Sequence, residues 1–165
     1  MQLSNCLCTS SGDNNYYVYV TCAADVQFTG CRVSASGNPD ILGSTRGAGF
    51  ALDGSGSYTL SGCKAAYTGG HNVEVSFGAV VAISGCKFEF PGLGTNPDRD
   101  SIHIYSNAMG QLAFAGIVQR TGLRGLYDDG SQCLIYGNGI FNNTVDIKKN
   151  NAFPRWGKLS SVAYP

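Results

Sequence analysis

Leu60–Lys64 reads LSGCK, and Ile83–Lys87 reads ISGCK. The same five-letter frame occurs as FTGCR at Phe28–Arg32 and as LSNCL at Leu3–Leu7. Aligned on the fourth letter, these copies fall at Cys6, Cys31, Cys63 and Cys86. Two degenerate copies follow, FAGI ending at Ile117 and IYGN ending at Asn138. The base period of about 21–25 residues, with insertions in alternate turns, is that of a chain built from one stacked supersecondary unit. A second apolar alternation accompanies the motif: VYV at Val18–Val20, FAL at Phe50–Leu52, VEV at Val73–Val75, IHI at Ile102–Ile104 and VDI at Val145–Ile147. Alternation of period two marks a strand with one buried face. Val18, Phe50 and Val73 each precede the next motif cysteine by the same number of residues, which sets the expected register.

Gly/Ser/Asn-rich turns such as DGSGS (Asp53–Ser57) and YDDGS (Tyr127–Ser131) separate the strands. Each repeat therefore holds at least two short strands and cannot bury its apolar face alone, so neighbours must stack. The expected fold is all-β, a right-handed parallel β-helix of about six coils over residues 1–150, with a height of about 29 Å at ~4.8 Å per rung. Residues 151–165, where Pro154 and Trp156 break the repeat, are expected to form a C-terminal cap or an inter-subunit tail. In LSGC the Leu and Cys should point inward and the Ser outward, while the Gly makes the bend. Met1–Cys6 already enters a rung, so the column is expected to continue into a longer coil or to be covered by a partner.

Lys+Arg and Asp+Glu both number 11, so the net charge is zero and nothing suggests a nucleic-acid or membrane-surface partner. No stretch approaches the roughly 20 apolar residues of a membrane span, and the N-terminus has no leader pattern. Seven cysteines, an odd number with no CxxC pair, point to packed, reduced thiols made in a cytoplasm. Neither a metal nor another cofactor is expected.

On FTGCRV, LSGCKA, ISGCKF and the strands between them, the chain resembles phage tailspikes and, more widely, pectate-lyase-like right-handed β-helices. The resemblance implies a homotrimer in a virion tail, assembled in the bacterial host cytoplasm. Its partner would be a bacterial surface polysaccharide, O-antigen or capsule, which such proteins bind and often cleave as glycoside hydrolases or lyases. NPDRDSIHI at Asn96–Ile104 is similar to the Asn-x-Asp segment of polygalacturonase-like glycosidases, and Asp128–Gly130 to their paired aspartates. The Gly-His-Gly and Arg-x-Lys segments of that family do not follow. A non-catalytic shaft or tip of a fibre or adhesin is the competing reading.

The alternation places Tyr19, Ala51, Glu74, His103 and Tyr127, or Asp128 beside it, on one outward face. Glu74 and Asp128 would stand about 9.6 Å apart, near the 6.5–9.5 Å spacing of an inverting glycosidase. The insertion FPGLGTNPDRD carries Asp98, Arg99 and Asp100 to the His103 strand, where Asp98 or Asp100 could supply the second carboxylate or pair locally with Arg99. Glu74, Asp128, Asp100 and His103 are thus the catalytic candidates. Arg99, Asp98, Tyr19, Tyr105, Tyr127, Lys64 and Lys87 are the substrate-binding ones. Arg32, Lys64 and Lys87 should stack outward, either as a groove for an acidic sugar or as splayed cations. Thr29, Ser61, Ser84 and Ala115, beside Thr59, Ala82 and Ala113, should form a flat surface suited to a trimer interface or, more remotely, an ice-binding plane. His71 in GGHN reads most simply as a turn residue.

Overall fold

The computed structural model describes residues 1–9, 16–20, 24–34, 47–91, 99–120, 124–129, 131–142, 145–149 and 156–163. Among these residues there are seventeen strands and no helix. They are β1 (Gln2–Ser4), β2 (Leu7–Thr9), β3 (Tyr16–Val20), β4 (Asp25–Thr29), β5 (Arg32–Ser34) and β6 (Phe50–Gly54). Next come β7 (Ser57–Ser61), β8 (Lys64–Ala66), β9 (Val73–Val75), β10 (Val80–Ser84), β11 (Lys87–Glu89) and β12 (Asp100–Ile104). The last five are β13 (Gln111–Arg120), β14 (Arg124–Asp128), β15 (Leu134–Asn142), β16 (Val145–Lys149) and β17 (Trp156–Ala163).

Every pairing is parallel, and the strands form three ladders. The first runs β1-β4-β7-β10-β13, the second β2-β5-β8-β11-β13, and the third β3-β6-β9-β12-β14-β16. The long strand β13 pairs β10 with its first half and β11 with its second, so it joins two ladders in one sheet. The chain visits the ladders in the same order repeatedly, an arrangement compatible with a parallel β-helix. β17, inside the segment read as a cap or tail, pairs in parallel with β15 and extends the joined ladders.

The recurring pentapeptide has a physical cause at each position. Its first and fourth letters are buried: Phe28, Leu60 and Ile83 stack in register, as do Cys31, Cys63 and Cys86. Its third letter sits in the left-handed region at Asn5, Gly30, Gly62, Gly85 and Gly116, with φ between 53° and 61°. A side chain there costs about 1–2 kcal/mol, which Gly escapes and Asn tolerates. The bend lets backbone bonds continue across it: Lys64 N–H donates to Cys31 O and Lys87 N–H to Cys63 O, both at 2.9 Å. Cysteine at the fourth letter adds a thiol donor. Cys31 Sγ reaches Leu3 O at 3.3 Å, while Cys63 Sγ reaches Phe28 O and Cys86 Sγ reaches Leu60 O, each at 3.4 Å. Burial pushes the Cys31 and Cys133 thiols up, the latter to about 12 with help from the Asp128 charge.

Two registers differ from expectation. Tyr16, not Val18, pairs with Phe50, so β3 is displaced by two residues and Tyr19 stands beside Asp53 rather than Ala51. The aromatic contacts explain the choice: Tyr16 stacks on Phe50 at 5.2 Å and meets Phe28 edge-on at 5.5 Å, both of which are fully buried. At IYGN the expected pairing of Phe114 with Ile135 gives way to Phe114 with Gly137, and the register shifts before Ile117 meets Gly139. A Cβ at Gly137 would lie 2.1 Å from the Phe114 carbonyl oxygen and 2.7 Å from its ring.

Candidate functional site

The third ladder buries Phe50, Val73 and Ile102 in one column and Leu52, Val75 and Ile104 in another. Alternate residues point away from these columns, although Ala51 and His103 are themselves buried rather than on an open face. Ala51, Glu74, His103 and Tyr127 stack as the alternation foretold. Beyond them Ser76 N–H donates to Leu52 O and Tyr105 N–H to Val75 O, which carries the ladder one residue further and stacks Asp53, Ser76 and Tyr105.

Asp53, Glu74, Ser76, Phe77, Tyr105 and Asn107, with Ala51 and Leu52, line a cavity of about 250 Å³. Its charged lining groups are two carboxylates. Ser76 Oγ donates to Asp53 Oδ1 at 2.7 Å. Burial, then the charge of Glu74 and a hydrogen bond to it, pushes the Tyr105 phenol up, so Tyr105 is a protonated donor to Glu74. Phe77 is 47% exposed and has φ 53°. A bulky residue in the left-handed region costs about 1–2 kcal/mol, and here the turn presents a bare aromatic face at the cavity mouth.

A second cluster lies at the start of β12. Asp100 is fully buried and receives Arg124 on both oxygens, with Nη2 to Oδ2 at 3.2 Å. His103 Nδ1 lies 2.8 Å from Asp100 Oδ2. The backbone N–H of Asp100 donates to His71 Nδ1 at 2.9 Å, so this nitrogen is an acceptor and its 3.3 Å approach to Asp100 Oδ2 is no ion pair. Burial, followed by the charges of His103, Arg99 and Arg124, holds the His71 imidazole well below its ordinary value of 6.5 and keeps it neutral. The rings of His71 and Tyr105 lie 4.2 and 4.4 Å from that of His103, and Arg124 sits 3.7 Å over the Tyr127 ring.

The structure brings some of the expected site residues together and separates others. Glu74 and Tyr105 share the cavity, while His103 and Tyr127 adjoin it through ring contacts. Asp128 does not face Glu74. It continues the inward column of Val75 and Ile104, is 1% exposed, and its Oδ1 accepts the Ser131 N–H at 2.8 Å. Asp100 turns toward Arg124 and His103 and is absent from the cavity lining. Arg99 is buried, and Tyr19 is exposed one column away from its expected place. Asp98 lies outside the described residues.

Lys64 and Lys87 stack with Arg32 as expected, but on the second ladder. Glu89 bridges them at 3.4 Å and 3.0 Å, so an internal acid fills the place proposed for an acidic sugar. Burial alone would raise the Glu89 carboxyl, yet the bond and charge of Lys87, then those of Lys64, outweigh it and set it below its ordinary 4.5. A depressed carboxylate adds stability that is present above pH 4.5 and is lost as pH falls through its folded pKa. Urea midpoints of wild type and Glu89→Gln should therefore differ at pH 7 and converge below pH 4.5. A gap that stayed constant with pH would contradict the bridging role.

Sequence reasoning passed over Asp53, read as part of a turn, and His71 and Arg124. The signal for Asp53 was its place one alternation beyond Ala51 on the same strand. No protein-family model, curated protein or solved structure matches the chain.

Proposed function

We propose that the chain is a segment of right-handed parallel β-helix, about six coils long, that binds a bacterial surface polysaccharide on its third ladder and hydrolyses it there. The observation that carries this reading is the convergence of Asp53 and Glu74 on one cavity beside Phe77 and Tyr105. Aromatic faces stack on sugar rings, while carboxylates and Asn107 bond their hydroxyls. Asp53 and Glu74 supply the two carboxyl roles, one as base or nucleophile and the other as the acid that protonates the departing glycosidic oxygen. Elimination from a uronic acid is disfavoured because, among the described residues, the sugar carboxylate would meet two acids and no cation in the lining. The substrate is therefore a neutral or amine-bearing glycan. In the setting the family resemblance implies, this segment belongs to a homotrimeric phage tailspike, with the flat first-ladder face around Ser61 and Ser84 toward its copies.

Incubation with polysaccharides of candidate hosts, read as new reducing ends, tests the reading. Asp53→Asn and Glu74→Gln should each lower kcat by at least ~100-fold, a typical contribution of one acid–base group, with glycan binding retained. Phe77→Ala should weaken binding. Turnover unchanged in both carboxylate variants would remove this pair from the mechanism. Binding by wild type without any cleavage would instead favour a non-catalytic fibre or adhesin segment.

A further inference from the structure

Glu74 and His103 are partners on adjacent rungs of the third ladder, on the side away from its buried columns. His103 Nδ1 lies 2.8 Å from Asp100 Oδ2, and Arg124 meets both Asp100 oxygens as their counter-ion. Nδ1–H therefore donates to the carboxylate, and in the neutral ring Nε2 is left as a bare acceptor. This Nε2 is buried, in a residue only 8% exposed, and has no hydrogen-bond partner. It lies across the ring from Nδ1 and is turned away from Asp100. The Tyr105 ring, which lines the cavity with Glu74, is 4.4 Å from that of His103. An imidazole Nε2 and a carboxylate are both acceptors and cannot bond, whereas one proton between them makes a charge-assisted bond. We propose that His103 and Glu74 share one proton across the two rungs, which makes His103 a positioning residue for the acid of the cavity. The catalytic consequence rests on the glycan-hydrolase reading, whereas the shared proton itself does not.

The neighbouring side-chain donors are engaged elsewhere. The Tyr127 hydroxyl donates to Asp129 at 3.0 Å, and the Tyr105 phenol donates to Glu74. His71 is neutral, with its Nδ1 turned to the Asp100 N–H. The charges around the ring are Asp100 with Arg124, Glu74, and Arg99, whose field reaches His71 and Tyr105. Asp100 is matched by Arg124, and the acid stacked on His103 is Glu74, so a cation on the ring is stabilised from that side. The pair assigns the acid role to Glu74. With Asp53 as base, Glu74 gives its proton to the departing glycosidic oxygen while Asp53 takes one from the attacking water. The Nε2 proton of His103 then returns Glu74 to its acid form, the neutral ring takes a proton from solvent, and Asp53 releases the one it gained. Nδ1–H stays on Asp100 throughout, so one water is consumed and every proton is restored.

Nitrogen-15 imidazole spectra of the full chain, followed through the range in which histidines titrate, test the shared proton. On acidification His103 Nε2 should gain a slowly exchanging proton, and in Glu74→Ala that proton should exchange too fast to be seen. Turnover gives the second readout. His103→Gln should lower kcat by ~10-fold or more with KM nearly unchanged, since His103 acts through Glu74. Its alkaline loss of kcat should also move to lower pH by about one unit or more, because a shared proton is held to higher pH than one on Glu74 alone. A protected Nε2 proton without turnover on any glycan would support the pair and remove the hydrolase reading instead. An Nε2 proton that exchanges alike in wild type and Glu74→Ala, or an alkaline limb unmoved in His103→Gln, would overturn the proposal. If the variants fail to fold, the wild-type spectrum decides: a slowly exchanging Nε2 proton supports the pair, and a fast one refutes it.

Discussion

Gly110→Ala is expected to destabilise the chain by about 4 kcal/mol or more, read as a large fall in the urea midpoint. A Cβ at Gly110 would lie 1.9 Å from Ala79 O and 2.6 Å from Ala79 C. Both are backbone atoms, so no rotamer change relieves the overlap. Moving Ala79 away would break the bond from Gln111 N–H to Ala79 O, which connects the starts of β10 and β13. Gly62→Ala provides the contrast. Nothing lies within 4 Å of its added Cβ, but φ is +61°, so only the left-handed cost of about 1–2 kcal/mol applies. Equal losses at the two positions would show that close strand approach is not what demands Gly110.

The second large effect is at Asp100. Asp100→Asn should cost about 3–5 kcal/mol, because Arg124 keeps its charge in a mostly buried place and faces a neutral amide instead of its counter-ion. Arg124→Met should cost a similar amount by stranding the carboxylate. Combined, the two changes should lose far less than the sum of the single losses, since a neutral amide beside a thioether leaves no uncompensated ion. Additive losses in the double-mutant cycle would mean that the two side chains act separately.

How much of this was legible depended on what each residue's position had to satisfy. The columns Arg32–Lys64–Lys87, Thr59–Ala82–Ala113 and Thr29–Ser61–Ser84–Ala115 follow from the pentapeptide, because a left-handed bend at its third letter fixes the phase of both flanking strands. The Glu74–His103–Tyr127 column was readable because the inward Val and Ile residues fix its alternation. Tyr16 escaped notice because its pairing is set by aromatic packing on Phe28 and Phe50, which a count of residues to the next cysteine does not register. The close approach at Gly137, where a Cβ would lie 2.1 Å from the Phe114 carbonyl oxygen, is again a contact between distant residues. Asp128 was misplaced by one alternation, since the turn after it captures the carboxylate through Ser131 N–H. Asp53 was hidden in a turn-like sequence that in fact ends strand β6. His71 and Arg124 became visible as partners of Asp100 only when strand order brought three separate segments together.

The register that stacks these columns can be read bond by bond. Couplings across hydrogen bonds in an isotopically labelled sample should connect the amide nitrogens of Arg32, Lys64 and Lys87 to the carbonyl carbons of Cys6, Cys31 and Cys63, respectively. Those three correlations would establish parallel strands in the stated register and, with them, the face that carries Glu74 and His103. Correlations from these amides to other carbonyls, displaced along the strand or on an antiparallel neighbour, would contradict the fold and every site built on it.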